Sequence, residues 1–318
     1  MILIVTENED EITNNVIDWL IFFKKPYIRI NSGDSIKIIN VTISSKITIF
    51  QFSIEPHKIV YNINQFKSIW FRKGNIKLDL KYSVNASGVY KKINSHLLLE
   101  AEYLKRFFIA QLESIPNKIG NYLSKVNKLN NLILADQCGL LIPETKIICS
   151  GKLLNKPYVQ NKYVSKAISN GIGIRHLGIK IVGYTSSIKK HKYRNELFPS
   201  LIQRRINKII DIRVFYLEKK LWCSAIYSQN DPKTRIDYRK YNDLKPNRVE
   251  PIELPKTLKS KIRKFMDKAS LNCGSLDFIL STNGKYFFLE VNPYGQFGSV
   301  GYESGYDLPK EIACALIK

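Results

Sequence analysis

A segment near the C-terminus constrains the fold more than any other part of the chain. It reads G-S-L-D-F-I-L-S-T-N-G-K-Y-F-F-L-E-V-N-P and covers residues 274–293. Two short apolar runs flank Asn283-Gly284, a pair that favours a two-residue type I′ turn, and the segment therefore predicts a tight β-hairpin. A turn at these two residues places Asp277 directly opposite Glu290 in the ladder.

Alternation along the two predicted strands sorts their side chains onto two faces. The face expected to pack on a core is apolar throughout and carries Leu276, Phe278, Leu280, Phe287, Leu289 and Val291. The other face carries Asp277, Glu290 and Asn292 at one end, with Ile279 and Phe288 beside them. Carboxylates paired across a ladder repel each other, and a sequence that pairs them normally supplies a cation. An all-oxygen set with apolar walls suits Mg²⁺ or Mn²⁺, and the alternative is a solvated face with incidental acids.

Charge and composition limit the classes of protein and of partner. A chain of 318 residues exceeds one ordinary core and predicts two or three subdomains. The 50 lysines and arginines outnumber the 27 aspartates and glutamates, and the net charge of +23 favours anionic partners. No nucleic-acid-binding motif accompanies this charge, so nucleic acid is not expected as a partner. The five cysteines and four histidines are scattered, which predicts neither a disulfide framework nor a zinc site.

The sequence predicts neither a membrane span nor a signal peptide. Its longest apolar runs, such as residues 19–23, are far too short to cross a bilayer. The opening M-I-L-I-V-T-E-N-E-D lacks the basic start of a signal peptide. We therefore expect a cytoplasmic protein.

The first 115 residues are predicted to form an α/β domain. A buried strand at 1–6, an amphipathic helix at 11–24 and a strand at 27–30 open it, and the remaining elements are strands at 36–42, 46–54 and 68–71 and a long amphipathic helix at 97–112. Pro116 marks the boundary that follows.

Two lysines follow in positions that suit phosphate binding. Asn127 is expected to cap a helix from Lys128 to about residue 138, where a glycine ends it. Lys166 ends a predicted strand and precedes a loop with Gly171 and Gly173. A lysine that faces such a loop holds a phosphate by charge while backbone N–H groups approach it closely. A generic helix and an ordinary glycine-bearing turn are the alternatives.

Charged side chains also share faces farther along the chain. On one predicted strand, Asp211 and Arg213 project from the same face, so Arg213 lies beside the hairpin's acidic face if the two elements are neighbours in one sheet. Arg235, Asp237 and Arg239 alternate along a segment predicted to be extended, and such a row grips a carboxylate through bidentate arginine contacts. An edge strand and a solvated loop with unrelated charges are the alternatives.

The order of these motifs resembles that of the ATP-grasp superfamily. The matching pieces lie within residues 116–300 and read N-K-L, G-L-L-I-P-E-T, V-S-K, L-I-Q-R-R-I, D-I-R, L-D-F-I and L-E-V-N-P. Within the superfamily, W-F-R-K, S-Q-N-D-P-K-T-R-I-D-Y-R and N-P-Y-G-Q-F are similar to the graspetide ligases, which are related to the microviridin ligases. The runs I-L-I-V-T-E-N and I-D-W-L resemble the grasp-with-spasm peptide maturases in particular.

The resemblance implies an α/β ATP-grasp fold in three parts. These are an N-terminal Rossmann-like pre-ATP-grasp domain at 1–115, a central lid subdomain at 116–200 and a C-terminal catalytic subdomain at 201–318. ATP would lie between two sheets, with Lys128 and Lys166 on its phosphates, Gln203 to Ile206 along the adenine and Asp211 near the ribose. Asp277, Glu290 and Asn292 would hold Mg²⁺, with two ions expected and Mn²⁺ as an alternative.

The implied activity is ATP-dependent ring closure in a ribosomally made peptide. An Asp or Glu side chain of the precursor would attack the γ-phosphate to give an acyl phosphate, and a Ser/Thr hydroxyl or Lys amine would displace phosphate to close an ω-ester or ω-amide ring. Arg213 would stabilise the charge that develops during transfer. Arg235, Asp237 and Arg239 would hold the acceptor carboxylate, with Asp237 as general base.

The implied partner is a precursor peptide with a leader and an acidic core. No membrane is expected, and a homodimer is left open. Two other functions remain open as well. One is an ATP-grasp amino-acid ligase that acts on a protein tail or on free amino acids, and the other is a non-catalytic basic protein that binds peptides or nucleic acid. The acidic hairpin and the two lysines together argue against the last.

Overall fold

A computed structural model describes residues 1–45, 48–55, 57–80, 88–122, 127–157, 159–169, 173–176, 179–189 and 193–318. By its internal contacts the chain divides into two compact units. Met1–Ser124 and Asp307–Lys318 form the first unit, and Lys125–Tyr306 forms the second. The three-part division at residues 115 and 200 stays a prediction.

The first unit contains two four-stranded sheets. Its elements up to residue 119 are β1 (Ile2–Thr6), α1 (Glu11–Phe22), β2 (Tyr27–Asn31), β3 (Ser35–Ile43), β4 (Thr48–Glu55), β5 (Ile59–Asn62), β6 (Ser68–Phe71), β7 (Lys77–Leu78), α2 (Val89–Glu113) and β8 (Asn117–Ile119). One sheet is parallel throughout, in the order β2-β1-β6-β8. The other has the order β5-β4-β3-β7, and its long strands pair antiparallel.

The core of the first unit brings both sheets and α2 together. It includes Leu3, Val5 and Ile69 from the parallel sheet, Phe50 and Phe52 from the second sheet, and Phe108 and Leu112 from α2. The last helix of the chain, Leu308–Leu316, packs against α1, β6 and β8. Two hydrogen bonds fix it there, from Trp19 Nε1 to Asp307 Oδ1 at 3.2 Å and from Asn117 Nδ2 to the Ala315 carbonyl at 2.8 Å.

The second unit is built on a five-stranded antiparallel sheet. Its elements are α3 (Lys128–Gln137), β9 (Thr145–Ser150), β10 (Tyr163–Lys166), β11 (Gly173–His176), β12 (Ile179–Val182), β13 (Ser186–Ser187), β14 (Glu196–Arg204), β15 (Lys208–Leu217), β16 (Lys220–Tyr227), β17 (Arg248–Pro251), α4 (Lys256–Lys268), β18 (Cys273–Ser281), β19 (Tyr286–Asn292) and α5 (Gly298–Glu303). The main sheet has the order β17-β16-β15-β18-β19, and residues of α3 and α4 share its core. A second sheet has the order β13-β10-β14-β9, and β11 pairs with β12.

Most of the predicted elements form close to their predicted bounds. The strand predicted at 68–71 is β6, and Asn127 caps α3 by accepting from the N–H groups of residues 129 and 130. The helix α2 begins at Val89, earlier than predicted. The prediction missed this start because the first residues of the helix are exposed and show no core-facing apolar pattern. Gly173 starts β11 rather than lying in a loop, and Gly171 lies outside the described residues. Among the described helices, none is long and apolar enough to cross a membrane.

Candidate active site

The predicted hairpin forms, and Asp277 lies directly opposite Glu290. The predicted type I′ turn is wrong, because three residues separate Ser281 from Lys285 and the Gly284 N–H donates to the Ser281 carbonyl at 3.0 Å. In the described turn 282–284, Gly284 alone has a positive φ, 75°, which is typical of a type I turn followed by a left-handed residue. This turn shifts the register by one residue, and a bulge before Glu290 shifts it back.

The bulge changes which residues share a face. Phe288 lies opposite Phe278 and is fully buried in the core, so its predicted place beside the acidic pair is wrong. Phe287 and Leu289 were both predicted for the core face. Phe287 instead lies opposite Ile279, and Leu289 lines the cleft described below. The longer turn reverses the faces of the residues between turn and bulge, since side chains alternate strictly along a strand.

Arg213 lies beside the acidic pair, as expected for neighbouring strands. It is opposite Asp277 in the β15–β18 ladder, and its Nη1 lies 2.7 Å from Asp277 Oδ1. Its Nη2 donates to the Gln296 carbonyl at 2.6 Å. Only 13% of the Arg213 side chain and 11% of the Asp277 side chain is exposed. Desolvation lowers the pKa of Arg213, but Asp277 outweighs it and raises that pKa overall, so the guanidinium stays charged.

Glu290 lies among three cationic side chains. Lys128 Nζ lies 2.9 Å from Oε2, and Arg239 Nη1 lies 3.7 Å from Oε1. Lys128 also donates to two carbonyl oxygens in the loop after β10, each at 3.2 Å. Desolvation raises the pKa of Glu290, but Lys128 and Lys166 outweigh it and lower that pKa overall. Burial lowers the pKa of Lys166, and Glu290 opposes that shift.

Asp237 accepts hydrogen bonds at both carboxylate oxygens. The Thr185 N–H donates to Oδ2 at 2.9 Å, and Arg239 donates from Nε to Oδ1 and from Nη2 to Oδ2, each at 2.8 Å. The backbone N–H of Arg239 adds a contact to Oδ1 at 3.1 Å. Desolvation raises the pKa of Asp237, but the bonds from Arg239 and Thr185 outweigh it and lower that pKa to about 2. Arg239 thus bridges Asp237 and Glu290.

The segment that carries Arg235, Asp237 and Arg239 is not extended, so that prediction is wrong. It runs through turns, with the Arg235 N–H donating to the Asp231 carbonyl at 3.0 Å. The Asp231 side chain also accepts from the Lys233 N–H at 2.8 Å. An Asp-Pro pair favours such turns, which outweighs the alternating charge pattern. All three charged residues nevertheless line the same cleft.

Asp211 is buried in a network that sequence analysis missed. Lys208 Nζ lies 2.6 Å from both of its carboxylate oxygens, and Ser228 Oγ donates to Oδ2 at 2.5 Å. Strict alternation would place Lys208 on the opposite face from Asp211, but a bulge between Lys208 and Ile210 brings the two together. Desolvation raises the pKa of Asp211, and Lys208 opposes that shift.

Most of these charged groups, though neither Lys128 nor Arg213, line one cleft of about 690 Å³, a volume that includes space open to solvent. The cleft borders the five-stranded and the four-stranded sheets of the second unit. Its lining includes Val164, Lys166, Gln203, Arg204, Arg205, Ile206, Lys208, Asp211, Arg235, Asp237, Tyr238, Arg239, Asp277, Ile279, Leu289 and Glu290. Six of these residues are cationic and four are carboxylates, so the walls favour an anion. Gln203 is buried and donates from Nε2 to Thr145 Oγ1 at 3.0 Å, which fixes its side chain.

Tyr238 is a second residue that sequence analysis missed. Its hydroxyl donates to Asp277 Oδ1 at 3.4 Å. Burial, with the nearby Asp277 charge, raises the pKa of Tyr238, so the hydroxyl keeps its proton. Its position between Asp237 and Arg239 in the sequence was the available signal, but a tyrosine in an irregular segment has no distinctive spacing.

The donor set on the hairpin fits a hard cation. Asp277 and Glu290 provide carboxylate oxygens on adjacent strands, which suit Mg²⁺. Asn292 lies at the end of β19, and its Oδ1 accepts from the Tyr294 N–H at 3.0 Å, so one lone pair is engaged locally. Across the described residues, no group of three or more His, Cys, Asp or Glu side chains converges on a point. A cation here would therefore depend on substrate or water oxygens for the rest of its shell.

Solved structures share this architecture over nearly the whole chain. A RiPP-associated ATP-grasp ligase of Chryseobacterium gregarium, in complex with ADP and a leader and core peptide, superposes with a TM-score of 0.75 at 22% identity and covers 99% of this chain and 96% of that chain. The chain has the ATP-grasp fold. The macrocyclase MdnC of Microcystis aeruginosa, bound with precursor peptide MdnA, superposes with a TM-score of 0.73 at 22% identity, and the match covers 99% of each chain. D-alanyl-alanine synthetase A of Vibrio cholerae superposes with a TM-score of 0.52 at 12% identity, and the match covers 100% of this chain and 97% of that chain.

At these identities the similarity shows the fold but does not show which reaction the protein catalyses, since one fold supports many reactions. No protein-family model matches the sequence, and no curated protein matches it at a significant level. Within the ATP-grasp fold, the cleft and its charged groups therefore determine which reaction the protein supports.

Proposed function

We propose that this protein is an ATP-dependent peptide macrocyclase. It would activate Asp or Glu side chains of a ribosomally made precursor as acyl phosphates and join them to Ser/Thr hydroxyls or Lys amines. The observation that carries the proposal is the acidic pair, Asp277 and Glu290, which lines the cleft and forms ion pairs with Lys128, Arg213 and Arg239. Carboxylates for a metal and cations for phosphates are the two charge types that phosphoryl transfer requires.

The cationic side chains would hold the nucleotide. Lys128 and Lys166 border Glu290 and would contact the phosphates of ATP, while Gln203 to Ile206 would line the adenine and Asp211 would lie near the ribose. Asp277, Glu290 and Asn292 would hold Mg²⁺, as two ions or with Mn²⁺ in its place. When bound, Mg²⁺ would neutralise phosphate charge and orient the transferred group.

Arg213 is placed to stabilise the transferring phosphoryl group. It is charged, desolvated and fixed by Asp277 and the Gln296 carbonyl, so its direction does not depend on the substrate. A donor oriented in advance favours the transition state without reorganisation. A peptide carboxylate oxygen would form the new P–O bond as ADP leaves. The hydroxyl or amine would then attack the acyl carbon and expel phosphate, releasing its proton.

Arg235 and Arg239 are proposed to hold the acceptor carboxylate, since both line the cleft. Asp237 as general base stays a prediction. Its pKa of about 2 and its contacts with Thr185 and Arg239 support a different role, the positioning of Arg239.

The proposed partner is a precursor peptide with a leader and an acidic core. Two of the similar structures support a peptide partner: the Chryseobacterium ligase is in complex with a leader and core peptide, and the Microcystis macrocyclase with a precursor peptide. A net charge of +23 supports an acidic core through long-range attraction. Because the reaction would use ATP and a newly made peptide, the cytoplasm is the proposed compartment.

The test is reconstitution with a peptide encoded beside this gene. A short reading frame with repeated Thr, Ser or Lys and Glu or Asp near its C-terminus supplies the candidate. Incubation with the protein, ATP and Mg²⁺ should remove one water per ring, with ADP formed in equal amount, and hydroxylamine should trap the acyl phosphate as a hydroxamate. Unchanged peptide mass with consumption of free amino acids would select the amino-acid ligase instead. No nucleotide binding at all would select the non-catalytic binder.

A further inference from the structure

The loop between β19 and α5, residues 293–297, contacts Arg213 through its backbone. The Gln296 carbonyl accepts from Arg213 Nη2 at 2.6 Å and from Ser275 Oγ at 2.7 Å. Ser275 is fully buried, so no water is available to replace its bond to the loop. The position of this one backbone carbonyl therefore sets the direction of the Arg213 fork.

Alternation along β15 and β18 explains why one loop reaches both donors. Arg213 and Phe215 are two residues apart and project from the same face of β15. In the ladder, Asp277 lies opposite Arg213. Ser275 lies opposite Phe215, so the four side chains share that face. The pair formed by Phe215 and Ser275 is thus the immediate neighbour of the charged pair on the sheet.

Two close contacts anchor the loop on this neighbouring pair. Phe297 is buried, and its ring meets the Phe215 ring edge to face with the centroids 4.8 Å apart. Gly295 has a φ of 60°, and a Cβ there would lie 2.8 Å from Cys273 Sγ and 3.0 Å from Phe215 Cε2. Only glycine lets the backbone approach the sheet this closely. The residues on both sides of Gln296 are therefore fixed, and its carbonyl has little freedom to move.

We propose that Ser275 and Phe297 are positioning residues for Arg213 and act through the Gln296 carbonyl. The proposal rests on the proposed function, in which Arg213 stabilises the transferring phosphoryl group. With Nη1 on Asp277 and Nη2 on the loop, the guanidinium is held at two points before substrate binds. An arginine that must first find its direction stabilises the transition state less well. Loosening the loop should therefore slow phosphoryl transfer and leave the affinity for ATP nearly unchanged, since other side chains would bind the nucleotide.

The first test is the rate of acyl phosphate formation in a single turnover, with ATP, Mg²⁺, the peptide encoded beside this gene and hydroxylamine as the trap. Phe297→Leu loses the ring contact and Ser275→Ala loses the hydroxyl donor. Each should lower this rate by about tenfold and change the Kd for ATP by less than about twofold. An unchanged rate in both variants would overturn the proposal.

A matched control makes the same change on the opposite face of the sheet. Phe265 is fully buried in α4 and belongs to the core that packs on that face. Phe265→Leu should lower the Tm, as Phe297→Leu does, but leave the rate within about twofold of the wild type. An equal loss of rate in the two variants would show a general effect of destabilisation and overturn the proposal.

A double-variant cycle separates positioning from an independent effect. Arg213→Met removes both nitrogen donors, so adding Ser275→Ala or Phe297→Leu to it should change the remaining rate by less than about twofold. Effects that multiply in the double variants would overturn the proposal, because they would show that the loop acts without Arg213.

The same coupling is measurable in urea without any reaction, which separates this proposal from the proposed function. A wild type that forms no acyl phosphate would show that the proposed function is wrong, and the contact would still be tested by unfolding. Removing either donor should weaken the bond made by the other, since both meet on one carbonyl. The unfolding equilibrium constant of R213M/S275A should therefore be about fivefold lower than the two single changes predict by multiplication. Constants that multiply would overturn the proposal.

Discussion

Glu290→Gln gives the sharpest test of the acidic pair, because it removes one charge and keeps the shape. The Glu290 carboxylate lies 2.9 Å from Lys128 Nζ and 3.7 Å from Arg239 Nη1, and 23% of its side chain is exposed. Losing a charged hydrogen bond of this kind costs about 2 kcal/mol of unfolding free energy, and the variant should therefore stay folded. For a unit of this size, that corresponds to a decrease in Tm of about 4–8 °C.

The effects on nucleotide binding should have opposite signs with and without metal. Without Mg²⁺, the wild-type carboxylate repels the phosphates, so the variant should bind ATP about tenfold more tightly in EDTA. With Mg²⁺, the variant lacks one metal ligand, and turnover should fall by about 10³-fold. Calorimetry in EDTA and in Mg²⁺, together with ADP release in the presence of peptide, measures both effects.

A matched control uses the same chemical change outside the cleft. Glu250 pairs with Arg248 on the exposed edge strand β17, and Glu250→Gln should leave both binding and turnover unchanged. If Glu290→Gln keeps Mg²⁺-stimulated turnover within about twofold of the wild type, the metal role of the hairpin is wrong.

Two further predictions test the electrostatics of the cleft and the register of the hairpin. Asp237 has a folded pKa of about 2, below its ordinary 3.8, so its contribution of about 2 kcal/mol is present above pH 4 and is lost as pH falls toward 2. As pH falls from 4 toward 2, urea titrations should show that the wild type loses about 2 kcal/mol more unfolding free energy than Asp237→Asn. Equal losses in the two proteins would contradict the assignment. Phe288→Ala should cost about 3–5 kcal/mol and Phe287→Ala clearly less, because Phe288 is in the core. Equal losses, or a larger loss for Phe287→Ala, would show that the register is wrong.

Local signals in the sequence predict much of the fold. Asn127 before an apolar helix, with a glycine after it, predicts α3 because cap chemistry depends on a few adjacent residues. The placement of Arg213 beside Asp277 also follows, since alternation and strand adjacency are enough to specify it.

Irregularities of the ladder limit what the sequence reveals of the site. Asp277 opposite Glu290 was predicted from a turn that does not form, and the pairing holds because a bulge compensates for the longer turn. Lys208 was missed because a second bulge moves it to the face of Asp211. A bulge depends on the packing of neighbouring strands, and no short sequence pattern encodes that packing.

The last helix of the chain has a consequence for synthesis on the ribosome. The first unit consists of Met1–Ser124 and Asp307–Lys318, so the segment that completes it is translated only after the whole second unit. Domains generally fold in the order of their synthesis, but this one is complete only after its last segment has been made. Until Leu308–Leu316 emerges, the surfaces of α1, β6 and β8 that this helix packs against remain uncovered, and they are where a chaperone would bind a nascent chain.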